Sequence, residues 1–465
     1  MADRQGAIAH AQNNRSQFLD ELKSFLSIPS ISTDSAHQED IRRAAEWLVD
    51  RLKEMGASKV EVLPTEGKPI VSGELSSARA DAPTVLVYGH YDVQPADPLE
   101  LWTDDPFEPS ERHGALYARG ASDMKGQVMA CLAALRSIQA TGELPLNVRF
   151  LLEGEEEIGS PSLKASLQQY AERFHADLCL NPDTGMLGAE SPTITYGLRG
   201  LAYYELHVDG PAQDLHSGKF GGAVHNPAQV LTDLISGMHD ERGRVTLPGF
   251  YDAVRELSAD ERAELARLPN DERFFLEQTG VPKLWGEEGY TAAERVGARP
   301  TLEVNGLYSG FTGEGAKTVL PATAMAKISM RLVPDQDPEK IRGQLEEYLD
   351  AHTPETVRYR LVQHAAGPPL LVPHDSAGNR ALAEAMRSVW GVDPFFEREG
   401  GSVPVSSYLD QLLGVPSVLT GFGLPDDNIH APNEKLDLQT WYRGTEALVH
   451  FFLNFAEQVK PGETS

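Results

Sequence analysis

Short apolar, β-branched runs in this chain give way abruptly to acidic or imidazole side chains. Thr84-Val85-Leu86-Val87-Tyr88 leads directly into Gly89-His90-Tyr91-Asp92. Val148-Arg149-Phe150-Leu151-Leu152 leads into a cluster of glutamates, and Asp177-Leu178-Cys179-Leu180 into Asn181-Pro182-Asp183. Such runs read as buried strands of a mostly parallel sheet. A helix is expected between the first two, from about Gly126 to Gln139. Strands alternating with helices are the signature of a three-layer α/β/α domain, whose ligands bind at the carboxyl ends of the strands. The polar residues just past each strand are therefore where chemistry is to be sought.

Two helices precede this region. Phe18, Leu19, Leu22, Phe25 and Leu26 recur at helical spacing and stop at Pro29, and Ile41, Ala45, Leu48, Leu52 and Met55 form a second helix that Gly56 can cap. Past Pro192 the texture changes. Ala202, Tyr204, Leu206 and Val208 alternate with Tyr203, Glu205 and His207, as in a strand with one buried face. A charged helical stretch follows around Leu257 to Leu276, then strand-like runs at Ala326-Lys327-Ile328-Ser329-Met330 and Val357-Arg358-Tyr359-Arg360-Leu361. Near residue 370 the βα texture resumes, with a helix from Asn379 to Trp390, a strand at Ser417 to Thr420 and a last helix from Leu438 to Phe455. The fold class expected is α/β: a discontinuous domain of residues 1–193 and 371–465, interrupted by an inserted α+β domain of residues 194–370.

The 465 residues suffice for two or three domains, and 69 acidic against 41 basic side chains give a formal charge of −28. That balance repels phosphates and anionic lipid heads, so neither nucleic acid nor a membrane surface is an expected partner. Cys131 and Cys179 stand far apart, which leaves no disulfide framework and no thiolate zinc site. The N-terminal residues lack a secretory pattern and no apolar run reaches spanning length, so a soluble cytoplasmic protein is expected.

His90 and Asp92 are two apart, so on an extended backbone both project from one face, where an imidazole can bind a metal while the carboxylate steadies it. Asp123 follows the small residues Gly120-Ala121-Ser122 and can equally serve as a helix cap. In Glu153-Gly154-Glu155-Glu156-Glu157 the carboxylates repel one another unless cations or exposure relieve them. Asp183 and His430 complete a set of nitrogen and oxygen donors at the ends of separate α/β segments. Such a set matches the needs of two divalent ions: one carboxylate to bridge and an open position for water. Rival motifs fail. Ala316 separates Gly315 from Lys317 where a phosphate loop needs Gly-Lys, Pro404 breaks the hydrolase elbow around Ser402, and no HExxH occurs.

Five segments in order, Gly89-His90-Tyr91-Asp92-Val93, Gly120-Ala121-Ser122-Asp123-Met124-Lys125-Gly126, Glu153 to Ser160, Asn181-Pro182-Asp183 and Ile429-His430, resemble the M20 family of metallopeptidases. Within it the likeness is to the cytosolic nonspecific dipeptidase and carnosinase group. The resemblance implies that Asp123 bridges two divalent ions, Zn²⁺ or Mn²⁺ with Co²⁺ also compatible. Glu157 and His430 would complete one site, and His90 and Asp183 the other. Glu156 would be the general base and Asp92 a supporting catalytic residue. A one-residue shift of roles onto Glu155 stays open, although Ile158-Gly159-Ser160 favours the register given.

The inserted segment carries the resemblance further. Asp214-Leu215-His216-Ser217-Gly218 is similar to a dimer-domain motif whose histidine acts across the interface of a homodimer on the tetrahedral oxyanion. Thr318 and Arg331 match a substrate-contacting loop and strand, and a guanidinium suits a terminal carboxylate. His364 matches a substrate-facing histidine after a one-residue shift, and Ser402 lies in a turn similar to a substrate-binding one. An Asp at position 183 accompanies amino- and dipeptidase members of the family. The implied activity is hydrolysis of dipeptides to free amino acids. An N-acyl amino acid amidohydrolase and a non-catalytic peptide- or metal-binding homologue are the alternatives.

Overall fold

The computed structural model describes residues 2–401 and 403–459. Along the chain the principal strands are β1 (Ser58–Leu63), β2 (Ile70–Leu75), β3 (Thr84–His90), β4 (Asn147–Glu153), β5 (Leu178–Asn181), β6 (Thr193–Leu198), β7 (Gly200–Asp209), β8 (Thr301–Ser309), β9 (Thr323–Leu332), β10 (Arg358–Gly367) and β11 (Ser417–Leu419). The principal helices are α1 (Arg4–Asn13), α2 (Arg15–Leu26), α3 (Gln38–Glu54), α4 (Lys125–Gln139), α5 (Pro227–Ser236), α6 (Pro338–His352), α7 (Ala377–Trp390) and α8 (Leu438–Gln458). The chain forms two compact units. One takes in the chain up to Tyr196, then Val372–Glu397 and the chain from Val405 on; the other is Gly197–Leu371 with Arg398–Pro404.

The first unit is built on a mixed sheet in the order β1-β2-β4-β3-β5-β11-β6. Its centre is parallel, since β3 pairs in parallel with β4 and β5, and β5 with β11. Antiparallel strands extend both flanks, β2 against β4 and β6 against β11. The central strands are buried on both faces, as their unbroken Val and Leu runs require. Helix α4 is buried along nearly all its length and packs on β3 and α8, and the indole of Trp441 on α8 donates to the Gly126 carbonyl at 2.8 Å. Helix α3 ends at Glu54, and Gly56 adopts φ +77°, the left-handed conformation glycine supplies without strain.

The second unit is an antiparallel sheet in the order β8-β9-β7-β10. Its register sets Ala326 opposite Leu206 and Ile328 opposite Tyr204, so Ala202, Tyr204, Leu206 and Val208 share one face with Ala324, Ile328 and Met330. Helices α5 and α6 seal that face through Val230, Leu231, Leu234, Ile341, Leu345 and Leu349. The charged stretch expected as one helix is two, Ala259–Leu265 and Glu272–Thr279. Pro269 lies between them, and a helix interior does not accommodate it. Among the described residues no helix is long and apolar enough to cross a membrane.

Candidate metal centre

Strand β3 ends on His90, β4 on Glu153, β5 on Asn181 and β11 on Leu419. The registers set His90 beside Glu153 and Leu419 beside Asn181, so the parallel strands finish together. The turns leaving them share one end of the sheet, where open α/β sheets hold ligands. His90 and Asp92 are wholly buried there. The His90 Nδ1 lies 3.0 Å from the main-chain oxygen of Asp92, which turns Nε2 the other way. That nitrogen is 3.0 Å from Asp123 Oδ1 and 3.8 Å from Asp183 Oδ1.

Asp123 carries the arrangement. Its second oxygen, Oδ2, stands 2.9 Å from His430 Nε2, and that nitrogen is 3.2 Å from Glu157 Oε2. One carboxylate thus has His90 at one oxygen and His430 at the other, with Asp183 next to the first imidazole and Glu157 next to the second. Ligand atoms of His90, Asp123 and Glu157 all fall within 4.8 Å of one another. The five donors expected from the sequence therefore converge. Two imidazoles and three carboxylates, one able to bridge, are a borderline-to-hard donor set that fits two divalent ions.

The charges are strongly coupled. Burial pushes the Asp123 carboxyl up, but hydrogen bonds from His430 and His90 outweigh it and hold the group well below the usual carboxylate range. Burial lifts Asp183 to about 6, with His90 opposing and the charges of Asp123 and Glu157 adding. Glu156 is raised well above its ordinary value, first by burial and then by Asp183, Asp123 and Glu157, against the pull of His90. Hydrogen bonds to Asp123 and Glu157 raise His430 to about 10, and those to Asp123, Asp183 and Asp92 raise His90 despite its burial. Without cations, protons offset part of the negative charge.

The glutamate turn is held by its neighbours. Asp92 accepts the main-chain N–H groups of Glu156 (3.2 Å) and Glu157 (3.1 Å), which fixes both side chains relative to His90. Glu155 is buried and turned away, accepting the N–H groups of Lys68 at 2.8 Å and Ser162 at 2.6 Å. Its carboxylate is engaged in holding two loops.

The remaining candidates belong to the second unit. His216 is exposed and its Nδ1 accepts the N–H of Gly218 at 3.0 Å; Thr318 is exposed on the loop that pairs with it through Ser217. Arg331 on β9 lines a cavity of about 390 Å³ with Arg199, Trp285, Glu287, Glu303 and Ser329. His364 on β10 is 3.3 Å from Glu205 and exposed. Ser402 lies outside the described residues.

Three wholly or nearly wholly buried acids, Glu153, Asp427 and Glu434, are not among the five donors expected from the sequence. Glu153 receives the Tyr88 hydroxyl at 3.0 Å. Asp427 receives the Ser122 hydroxyl at 3.0 Å, and Glu434 receives several amides of the Asp123 loop. The signal for Glu434 was its place four residues after His430, within the same polar segment.

Residues 86–454 match the model of peptidase family M20/M25/M40. The chain is 33% identical to the Cys-Gly metallodipeptidase DUG1 of Candida albicans over 94% of each sequence. It is 30% identical to the Beta-Ala-His dipeptidase of Homo sapiens, across 96% of this chain and 91% of that one. Among solved structures, the M20 family metallo-carboxypeptidase Sso-CP2 from Sulfolobus solfataricus superposes with a TM-score of 0.86 at 33% identity, covering 95% of this chain and 99% of its own. A family match over most of the chain, full-length relatives at this level and a converging donor set agree, and the chain belongs to peptidase family M20/M25/M40.

Proposed function

We propose that this chain is a metallodipeptidase that hydrolyses dipeptides to free amino acids with two divalent ions, Zn²⁺ or Mn²⁺ with Co²⁺ also suited, at the Asp123 centre. The observation that carries the reading is the Asp123 carboxylate standing between two imidazoles, His90 at one oxygen and His430 at the other, with Asp183 beside His90 and Glu157 beside His430. When bound, such ions supply Lewis acidity towards the peptide carbonyl and acidify a water towards neutrality. Asp92 keeps the His90 imidazole and the Glu156–Glu157 turn in register. Glu156 makes no hydrogen bond to either imidazole, and its carboxylate, on the turn that Asp92 holds beside Glu157, is the group that takes a proton from the attacking water and returns it to the leaving amine.

The inserted segment, residues 194–370, serves as lid and dimerisation domain. In support, β8 is the edge strand of its sheet and exposes Val304, Leu307 and Tyr308, followed by Phe311. An open edge with apolar side chains is a natural seam for a second copy. In that homodimer His216 contributes to the partner's site, while Thr318, Arg331, His364 and Ser402 bind substrate, the Arg331 guanidinium taking the terminal carboxylate.

The relatives support the substrate class, since the C. albicans and human proteins are a Cys-Gly metallodipeptidase and a Beta-Ala-His dipeptidase. Carboxypeptidase action is the second reading, favoured by the likeness to Sso-CP2. The test is a panel of Cys-Gly, Ala- and Gly-containing dipeptides, β-Ala-His, longer peptides and N-acetyl amino acids. Turnover of dipeptides with little of the others is the result expected; turnover confined to longer peptides or N-acyl amino acids overturns it. Glu156→Gln is expected to keep metal content while lowering kcat by about 10²-fold or more. Undiminished activity in that variant removes Glu156 from the role of base.

A further inference from the structure

The loop that brings Asp123 and the loop that brings His430 come from positions more than 300 residues apart, yet one buried carboxylate fastens them together. Glu434 is wholly buried. Its Oε1 accepts the N–H groups of Ser122 at 3.0 Å and Asp123 at 3.1 Å. Its Oε2 accepts the N–H of Gly120 at 2.9 Å and the Arg119 guanidinium at 2.7 Å. The main-chain oxygen of Glu434 takes the N–H of Ala118 as well. Arg119 is itself pinned, donating to the Pro95 carbonyl at 3.1 Å.

The His430 loop has no regular structure to fix it. Asn428, His430 and Asn433 all adopt positive φ, an unfavourable conformation for residues with a side chain, which persists only where surroundings impose it. The loop is closed at its base, where the Lys435 amide donates to the Asp427 carbonyl and the Lys435 ammonium to the Asp427 carboxylate, each at 3.0 Å. Asp427 also accepts the Ser122 hydroxyl at 3.0 Å. The base of one loop is therefore bonded to the backbone of the other at Ser122 and Asp123.

We infer that Glu434 is a positioning residue of the metal centre, setting the separation of Asp123 and His430 through the amides of Gly120, Ser122 and Asp123. The inference rests on the reading of Asp123 and His430 as metal ligands. Glutamine is not a substitute, because each Glu434 oxygen faces two N–H donors. Whichever way the amide is turned, its NH₂ meets a pair of donors, and buried groups are left unmatched. Groups that orient metal ligands in this manner typically account for about 10–100-fold in metal affinity.

The experiment compares wild type, Glu434→Gln and Ser122→Ala by chelator-competition titration with Zn²⁺ and Mn²⁺, alongside kcat and KM at saturating metal and circular dichroism for the fold. Glu434→Gln is expected to bind at least one equivalent about 10-fold or more weakly and to lose kcat with little change in KM, which a support role remote from the centre does not produce. Ser122→Ala, which removes only the tie to Asp427, is expected to shift affinity in the same direction by about 3-fold. Wild-type affinity and kcat in folded Glu434→Gln overturn the inference. Should that variant not fold, wild-type affinity in Glu434→Asp, whose shorter side chain draws the carboxylate away from the amides of Gly120, Ser122 and Asp123, overturns it instead. A wild-type protein that takes up no metal overturns the reading of the centre itself, an outcome distinct from either.

Discussion

Proton and cation compete for the same nitrogens at this centre. In the metal-free protein His430 holds its proton to about 10 because Asp123 and Glu157 face it, and His90 is likewise raised by Asp123, Asp183 and Asp92. Asp123 is held ionised by both imidazoles and gives up no proton. On the proposed ligand set, metal uptake near pH 7 is expected to expel protons from the histidines, so that apparent affinity rises with pH and the rise flattens once His430 deprotonates at about 10. Calorimetric titrations in buffers of different ionisation enthalpy are expected to show one to two protons released per chain at neutral pH. A heat independent of the buffer contradicts this. The same residues mark what a reader of the sequence can reach. His90, Glu157 and Asp183 stand out because each ends or follows a strand, Asp123 because it precedes a helix, and His430 because an imidazole stands in a polar loop. Glu155 and Glu434 are not, since a carboxylate serving amides looks in sequence like one serving cations.

Elements place these residues through contacts that tolerate little change. Gly421 follows β11 and packs on the Asp183 turn so closely that a Cβ there would sit 1.4 Å from the Thr184 carbonyl oxygen. Gly421→Ala must push that turn away, and a loss of about 3 kcal/mol or more is expected in urea denaturation, with weakened metal uptake. An unchanged midpoint contradicts the packing. Strands β3, β4 and β5 and helices α4, α7 and α8 were visible in the sequence because period and flanking breakers agree over a whole element. The antiparallel flank of β1 and β2 was not, and neither was the small sheet that joins Lys435–Asp437 to Ala115–Tyr117, because such pairs form between segments whose local patterns carry no mark of the partner.

At the scale of the molecule, two units with separate cores respond to different perturbations. The five proposed donors lie wholly in the first unit, while the apolar layer around Tyr204, Ile328 and Leu345 belongs to the second. A ligand stabilises only the species that binds it. Chelation is accordingly expected to lower the calorimetric transition of the first unit and leave that of the second in place. Leu345→Ala is expected to do the reverse, at a cost of about 2–5 kcal/mol. Equal shifts of both transitions by chelation contradict the division. The first unit is also discontinuous in sequence, with His430 arriving after the inserted unit is complete. During synthesis, then, a nascent chain that has already emerged past Pro404 and completed the second unit still holds only four of the five proposed donors.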